Sequence, residues 1–306
     1  MDICVMKILL IGLPTSYDKI SLGLQNEGHE VTLYDGQEDL LFLNDGSDLV
    51  IEKVTQVIQG FGPDVIVNGV PKLVLPVGDY TLLSNTPETT KLESEKWDTR
   101  VIAETAGFKL PTVAIECMSH DLDLTGMGTV YVKPKDATTS QCVWKIPEGS
   151  YADELKSPES YPVYVEDSVD YDVESWAYFT VSNGLYSINR CIGVVGYGND
   201  KLIAGNPDWT IGITMAELTE EQEAKWVSVC EALLTDVATL GGSFEGNIQG
   251  CIDENLDCYF FEVNVRPETH NSNVYFSYTY NWLESLMTDP SRANGHLAAQ
   301  YIQETL

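Results

Sequence analysis

The sequence predicts an α/β protein: a small parallel, doubly wound sheet followed by a larger unit with a β-rich lobe. Three observations predict it. Apolar strands alternate with helical segments through the first third of the chain, the pattern of a parallel sheet covered on both faces. From position 129 the pattern turns β-rich, and Asn183-Gly184 is a tight hairpin signal. The length of 306 residues exceeds the size at which one hydrophobic core usually stops growing, so more than one unit is expected.

Lys7-Ile8-Leu9-Leu10-Ile11 reads as a buried first strand. Pro14-Thr15-Ser16 turns the chain into a helix toward Asn26 that stops at Gly28, and Val31-Thr32-Leu33-Tyr34 is the next strand. Val65-Ile66-Val67 follows Gly62-Pro63-Asp64 as the third. The segment from Gly12 to Ser16 is not G-x-G-x-x-G, so dinucleotide binding has little support. Thr90-Lys91-Leu92-Glu93 fits a capping box, with Thr90 as N-cap and Glu93 reaching back. The helix it opens runs through Lys96, Trp97 and Val101 to Gly107. Strands are expected over 129–133, 163–166, 174–181 and 185–190. A second long helix starts near Thr219, with Gln222 three residues on, and presents Val227, Cys230, Leu234 and Val237 on one face before Gly241-Gly242. The last strand pair, over 247–252 and 258–265, is joined by Asp253-Glu254-Asn255.

Composition narrows the partners. The formal net charge is −30, with only 17 Lys and Arg, so duplex nucleic acid and anionic membranes are repelled and an anionic ligand needs local cations. No apolar run reaches the ~18–20 residues that span a bilayer, and no A-x-A-like site follows the apolar stretch from Ile3 to Ile11. Seven cysteines without a C-x-x-C pair argue against a disulfide framework and a zinc site, so reduced thiols and a cytoplasmic location are expected. The four histidines suggest no nucleophile triad.

Three segments carry candidate chemistry. In Phe261-Glu262-Val263-Asn264-Val265-Arg266, alternation turns Phe261, Val263 and Val265 to a core and Glu262, Asn264 and Arg266 to the opposite face. A carboxylate, an amide oxygen and a guanidinium in a row suit a Mg²⁺–polyphosphate complex, although a solvated polar face would look the same. Lys133 ends an apolar strand before the small polar loop Lys135-Asp136-Ala137-Thr138-Thr139-Ser140, which can bring an ammonium and amides to phosphate. Val163-Tyr164-Val165-Glu166-Asp167-Ser168-Val169, with Glu174 beyond it, can offer backbone groups to an adenine edge and a carboxylate to a ribose.

In order and spacing these segments resemble the ATP-grasp superfamily, and within it the phosphoribosylamine–glycine ligases of purine biosynthesis. Leu92-Glu93-Ser94-Glu95-Lys96 is similar to that family's L-E-G-S-K, and the segment from Gly107 to Thr112 to its G-x-P-T-like turn. Tyr131-Val132-Lys133 is similar to the strand ending in its second ATP lysine. Glu262-Val263-Asn264-Val265-Arg266 matches E-x-N-x-R, and Pro267-Glu268-Thr269 the P-E-T that follows. The resemblance implies a pre-ATP-grasp domain over 1–86 and an ATP-grasp domain over 87–306, its small lobe near 112–168. It implies that Lys96 and Lys133 contact ATP phosphates and that Glu262 and Asn264 bind Mg²⁺. Glu166, Asp167 and Val169 would form the adenine hinge, with Glu174 at the ribose. Arg190 and Arg266 would lie near the transferred phosphoryl group. The reaction implied is carboxylate–amine ligation of small molecules through an acyl phosphate, with glycine as the carboxylate.

The sequence departs from that family in several places. G-x-G-G-R-E-H is absent near the N-terminus, the glycine-rich flap is replaced by residues 136–142, and Gln249 stands near a position that is acidic in many ATP-grasp enzymes. Set against that resemblance, the family's C-terminal domain is expected to be missing. Two alternatives therefore stand beside the synthetase reading. One is a nucleotide-binding remnant without turnover. The other is a ligase of the D-alanine–D-alanine type, whose S-x-G-V flap is similar to Ser140-Gln141-Cys142-Val143.

Overall fold

The structure, a computed structural model, describes residues 5–12, 14–34, 48–70, 73–75, 78–117, 126–134, 144–148, 163–171, 173–182, 184–195 and 214–265. The N-terminal sheet has the order β2-β1-β3-β4, all parallel: β1 Lys7–Ile11, β2 Glu30–Tyr34, β3 Val65–Asn68 and β4 Thr81–Leu83. Helices α1 Pro14–Asn26 and α2 Asp48–Phe61 connect its strands. Leu9, Ile11 and Ile66 form a core with Val50 and Val54 of α2. Strand alternation turns Ile8 and Leu10 to the other face, where they too are fully buried, and α1 buries Ile20 and Leu24. Both faces are covered, as the apolar runs require.

Residues 86–105 form two helices, where the sequence suggested one. α3 Pro87–Ser94 starts at a capping box made by Thr86 and Thr89, with Pro87 in the first turn. The expected box at Thr90 does not form, because Thr86-Pro87 supplies the better start one turn earlier. Glu93, the expected partner of Thr90, is buried and accepts a hydrogen bond from the Val265 amide at 3.3 Å instead. Glu95 leaves helical geometry (φ −108°, ψ 63°), and α4 Lys96–Thr105 begins at the next residue. The Thr99 hydroxyl bonds the Leu92 carbonyl at 2.7 Å and so splints the break.

The small lobe is a four-stranded antiparallel sheet, order β5-β8-β6-β7: β5 Val113–Cys117, β6 Val130–Pro134, β7 Trp144–Ile146 and β8 Val163–Asp167. The large sheet is also antiparallel, order β11-β10-β9-β12-β13: β9 Val173–Ser182, β10 Leu185–Val195, β11 Thr214–Ala216, β12 Ser243–Ile252 and β13 Cys258–Asn264. In the β9–β10 hairpin Gly184 takes φ +78°, while Asn183 lies outside the described residues. α5 Glu220–Thr239 starts at the expected box of Thr219 and Gln222. Its buried stripe is Trp226, Val229, Cys230, Leu233, Leu234, Val237 and Ala238; Val227 is only half-buried.

That stripe packs on Phe179 and Val181 of β9, Ile248 of β12, and Phe260 and Val263 of β13. Burial of each such side chain contributes roughly 1.5–3 kcal/mol. Phe260 occupies the core where the sequence put Phe261. The reason is a bulge: Gln249 pairs with Glu262 but Gly250 with Phe260, so Phe261 is the extra residue and turns to the other face. Val263 and Val265 point into the core as expected. Among the described residues, Cys191, Cys230, Cys251 and Cys258 are free thiols, and no helix is long and apolar enough to cross a membrane.

Two strand glycines make this hairpin possible. A Cβ at Gly246 would collide with the Asn264 carbonyl oxygen, and one at Gly250 with the Tyr259 carbonyl oxygen and the Trp226 ring. Gly250→Ala should therefore destabilise the protein by about 1–3 kcal/mol, measured as a lower urea midpoint. An unchanged midpoint would show that the strands do not approach so closely.

Candidate functional site

The face of the large sheet turned away from α5 carries a polar array that the strand register defines. One cross-strand row runs Arg190, Tyr178, Asn247, Asn264, and the next includes Trp176, Gln249 and Glu262. Arg190 joins it through a register shift between Ile188 and Arg190. Three strand spacings put its backbone about 14 Å from that of Asn264, and it does not line the cavity described next. Arg266 lies outside the described residues.

A cavity of about 140 Å³ lies between this face and the small lobe, and its lining includes Lys96, Lys133, Glu166, Glu174 and Glu262. Lys96 opens α4 and reaches Glu262 of β13 at 2.7 Å. Lys133, on β6, reaches Glu166 of β8 at 2.5 Å. Asp167, Val169 and Gln249 line the cavity as well, and Tyr131, Tyr164, Tyr171 and Phe261 give it an aromatic wall. A larger cleft, about 830 Å³, shares Pro111, Asp167, Val169 and Tyr171 with it. In that cleft Glu104, Asp170, Asp253 and Glu254 outnumber Lys109, whereas Lys96 and Lys133 converge in the smaller cavity.

Burial would raise the Glu262 carboxyl, but Lys96 beside it, with help from Asn264 and Lys133, holds it near 2. Burial likewise opposes the Lys96 charge, and Glu262 overcomes it, raising Lys96 above the ordinary lysine value. Lys133 differs. Burial, then the neighbouring Arg100 and Lys96, lower its ammonium to about 7. Glu174 is raised by burial, although Tyr171 and Trp176 donate to it at 3.0 and 3.2 Å.

Nine of the ten expected residues are described: Lys96, Lys133, Glu166, Asp167, Val169, Glu174 and Glu262 line the cavity, Asn264 adjoins Glu262 on the polar face, and Arg190 lies at the far end of that face's row. The Glu166 carboxylate is engaged by Lys133 and by Arg100. The Asp167 and Ser168 amides already donate to the Thr112 and Thr129 carbonyls, at 2.9 and 3.0 Å. Sequence reasoning missed Arg100. Its signal was the i, i+4 spacing from Lys96, which puts both cations on one helix face.

The donor set suits Mg²⁺. Asn264 donates its amide nitrogen to Asn247 Oδ1 at 2.9 Å and, at 3.4 Å, to Glu262 Oε1, so a cation shared by Glu262 and Asn264 Oδ1 requires the amide to turn over. Two oxygens from one strand match a hard cation that takes its other ligands from phosphate and water. Among the described residues, no group of three or more His, Cys, Asp or Glu side chains could form an all-protein cage.

The lowered Lys133 pKa has a measurable sign. Between about 7 and the ordinary 10.5, the unfolded chain binds more protons than the folded one, so Lys133 makes stability rise with pH in that window. The slope is at most about 1.4 kcal/mol per pH unit. Buried thiols such as Cys230, raised by burial, act in the opposite sense at alkaline pH, so the readout is a difference. Between about pH 7.5 and 9.5 the urea midpoint of the wild type should rise relative to that of Lys133→Met. Parallel curves would refute burial of this ammonium.

No protein-family model matches the chain, and no curated protein sequence matches it. Solved structures do. An L-amino acid ligase from Bacillus licheniformis superposes with a TM-score of 0.62 at 17% identity, covering 88% of this chain and 69% of that one. N5-carboxyaminoimidazole ribonucleotide synthetase from Thermotoga maritima gives 0.57 at 16% identity, covering 89% and 71%. VanG D-Ala:D-Ser ligase from Enterococcus faecalis gives 0.60 at 14% identity, covering 88% and 92%. These structures are ATP-grasp ligases, and the chain has their mixed α/β fold, with a parallel N-terminal sheet and two antiparallel sheets beyond it.

Proposed function

We propose that the chain is an ATP-dependent ligase that joins a small carboxylate to an amine. The observation that carries this reading is the convergence of Lys96, Lys133, Glu174 and Glu262, from four separate elements, on one cavity between two antiparallel sheets. Similarity to amino acid and amino-imidazole ligases supports the reaction class.

In this reading Lys96 and Lys133 neutralise phosphate oxygens, and the hinge at Asp167 and Val169 takes the adenine edge. Glu174 accepts ribose hydroxyls. Glu262 and Asn264 hold Mg²⁺, which would offset charge on the phosphoryl oxygens when bound. Lys96 is then released from Glu262 toward the phosphates. The substrate carboxylate attacks the γ-phosphorus, the bond to the β-phosphate oxygen breaks, and ADP leaves with that electron pair. The amine attacks the acyl phosphate carbon, phosphate departs, and the amine sheds a proton. Lys133 and, from the sequence, Arg266 and Arg190 stabilise charge that grows on the transferred group, where preorganised donors are most effective.

Glycine or another small amino acid is the proposed carboxylate, because segments 92–96 and 262–269 resemble the glycine-activating synthetases, although a residue or two is lost between Arg266 and Pro267. Phosphoribosylamine is the leading amine within that reading. A nucleotide-binding protein without turnover is the second reading. It is favoured by Gln249, an amide paired directly across from Glu262 where many relatives of this fold carry a second carboxylate.

Incubation with ATP, Mg²⁺ and labelled glycine, with and without fresh phosphoribosylamine or other amines, decides among these. ADP formation that depends on both glycine and an amine is expected. Nucleotide binding without carboxylate-dependent ADP would favour the second reading. In the active protein, Lys133→Ala should lower turnover by about 10²-fold or more with an unchanged circular dichroism spectrum. Retained turnover would remove Lys133 from the mechanism.

A further inference from the structure

The ion pairs around the cavity form one network in which α4 supplies two cations a helical turn apart. Lys96 pairs with Glu262 at 2.7 Å, Arg100 pairs with Glu166, and Lys133 reaches the same Glu166 at 2.5 Å. Three cations therefore share two carboxylates. Glu174 stands apart from these pairs, its oxygens held by Tyr171 and Trp176. Arg100 has no direct path to a ligand. Its side chain is 5% exposed and is absent from the cavity lining. Its second guanidinium nitrogen donates to the Pro111 carbonyl at 2.9 Å, and the Tyr164 and Trp97 rings lie 5.6 and 6.0 Å from its carbon.

We propose that Arg100 is a positioning residue for polyphosphate: it neutralises Glu166, so that the Lys133 ammonium beside it is left to bind an anion. Without Arg100 each remaining ammonium would be matched one to one by its paired carboxylate, Lys96 by Glu262 and Lys133 by Glu166, so the ion pairs would carry no surplus positive charge, and Glu174 on the same cavity would tip the balance to negative. A buried pair that is already satisfied gains little from a further anion. Arginine suits the role because one terminal nitrogen ion-pairs with Glu166 while the other donates to the Pro111 carbonyl, and it stays charged when buried. The anion's identity as a nucleotide rests on the function proposed above; the charge argument does not.

The test is calorimetric titration with inorganic tripolyphosphate, ATP and adenosine. The proteins are the wild type, Arg100→Met, Arg100→Lys and the double variant Arg100→Met/Glu166→Gln. Arg100→Met should weaken tripolyphosphate and ATP by about tenfold or more and leave adenosine within about twofold. Removing Glu166 as well should recover most of that loss, because the surplus charge returns. A purely structural Arg100 would make the double variant no better than the single one. If Arg100→Met does not fold, the double variant and Arg100→Lys, both expected to bind tripolyphosphate within about threefold of the wild type, decide the matter. No recovery, equal loss of adenosine, or a wild type that ignores tripolyphosphate would overturn the proposal. A wild type that binds tripolyphosphate but neither ATP nor adenosine would overturn the nucleotide reading and leave this one standing.

Discussion

The helix that begins at Lys96 reaches two sheets at once. Lys96 pairs with Glu262 on β13 of the large sheet, and one turn later Arg100 pairs with Glu166 on β8 of the small lobe. Glu166 is withdrawn from water to a degree that only a paired charge tolerates, and Glu262 is half-buried. The placement of Lys133, the polar face of the large sheet and the cavity between the sheets all depend on these pairs. The break at Glu95 is what permits them. A single continuous helix would carry the face of Lys96 in another direction, and the Thr86 cap, the Glu93–Val265 bond and the Thr99 splint together fix the new one.

The acidic composition takes on meaning in this setting. A chain of net charge −30 repels phosphate over its surface, yet three of its few cations meet within one buried network. Low local dielectric strengthens each pair and makes an unpaired member costly, so the network is held in one arrangement. Aromatic rings complete it. Tyr164 lies edge-on to Trp97 at 5.7 Å and beneath Arg100, and the Phe261 ring lies 5.6 Å from the Lys133 nitrogen. These contacts hold flat, rigid surfaces against the cations at small entropic cost.

The large sheet separates its two tasks by face. Its apolar side is closed by α5 and fixes the scaffold; its polar side presents Asn247, Gln249, Glu262 and Asn264. Two register shifts adjust that presentation. One brings Arg190 into the row of Tyr178 and Asn247, and the other turns Phe261 out of the core and toward the cavity. Each bulge changes which face a residue takes and bends its strand locally.

By itself the sequence determined the first three strands and the first helix of the N-terminal unit, the cap of α5 at Thr219, the Asn-Gly hairpin, and the polar alternation of Glu262 and Asn264. These depend on period, cap chemistry and turn residues, all local properties of the chain. The motifs around Lys96, Lys133 and Glu262 were legible because each is contiguous. Only the tertiary structure decided the start of α3 at Thr86, the role of Glu93 as an anchor for the Val265 amide, the exchange of Phe261 for Phe260 in the core, and the pairing of Glu166 with Arg100. Each of these turns on a partner far away in the chain or on a bulge set by the neighbouring strand. A one-residue shift in register reverses which side chains face the site, and no local pattern reports it.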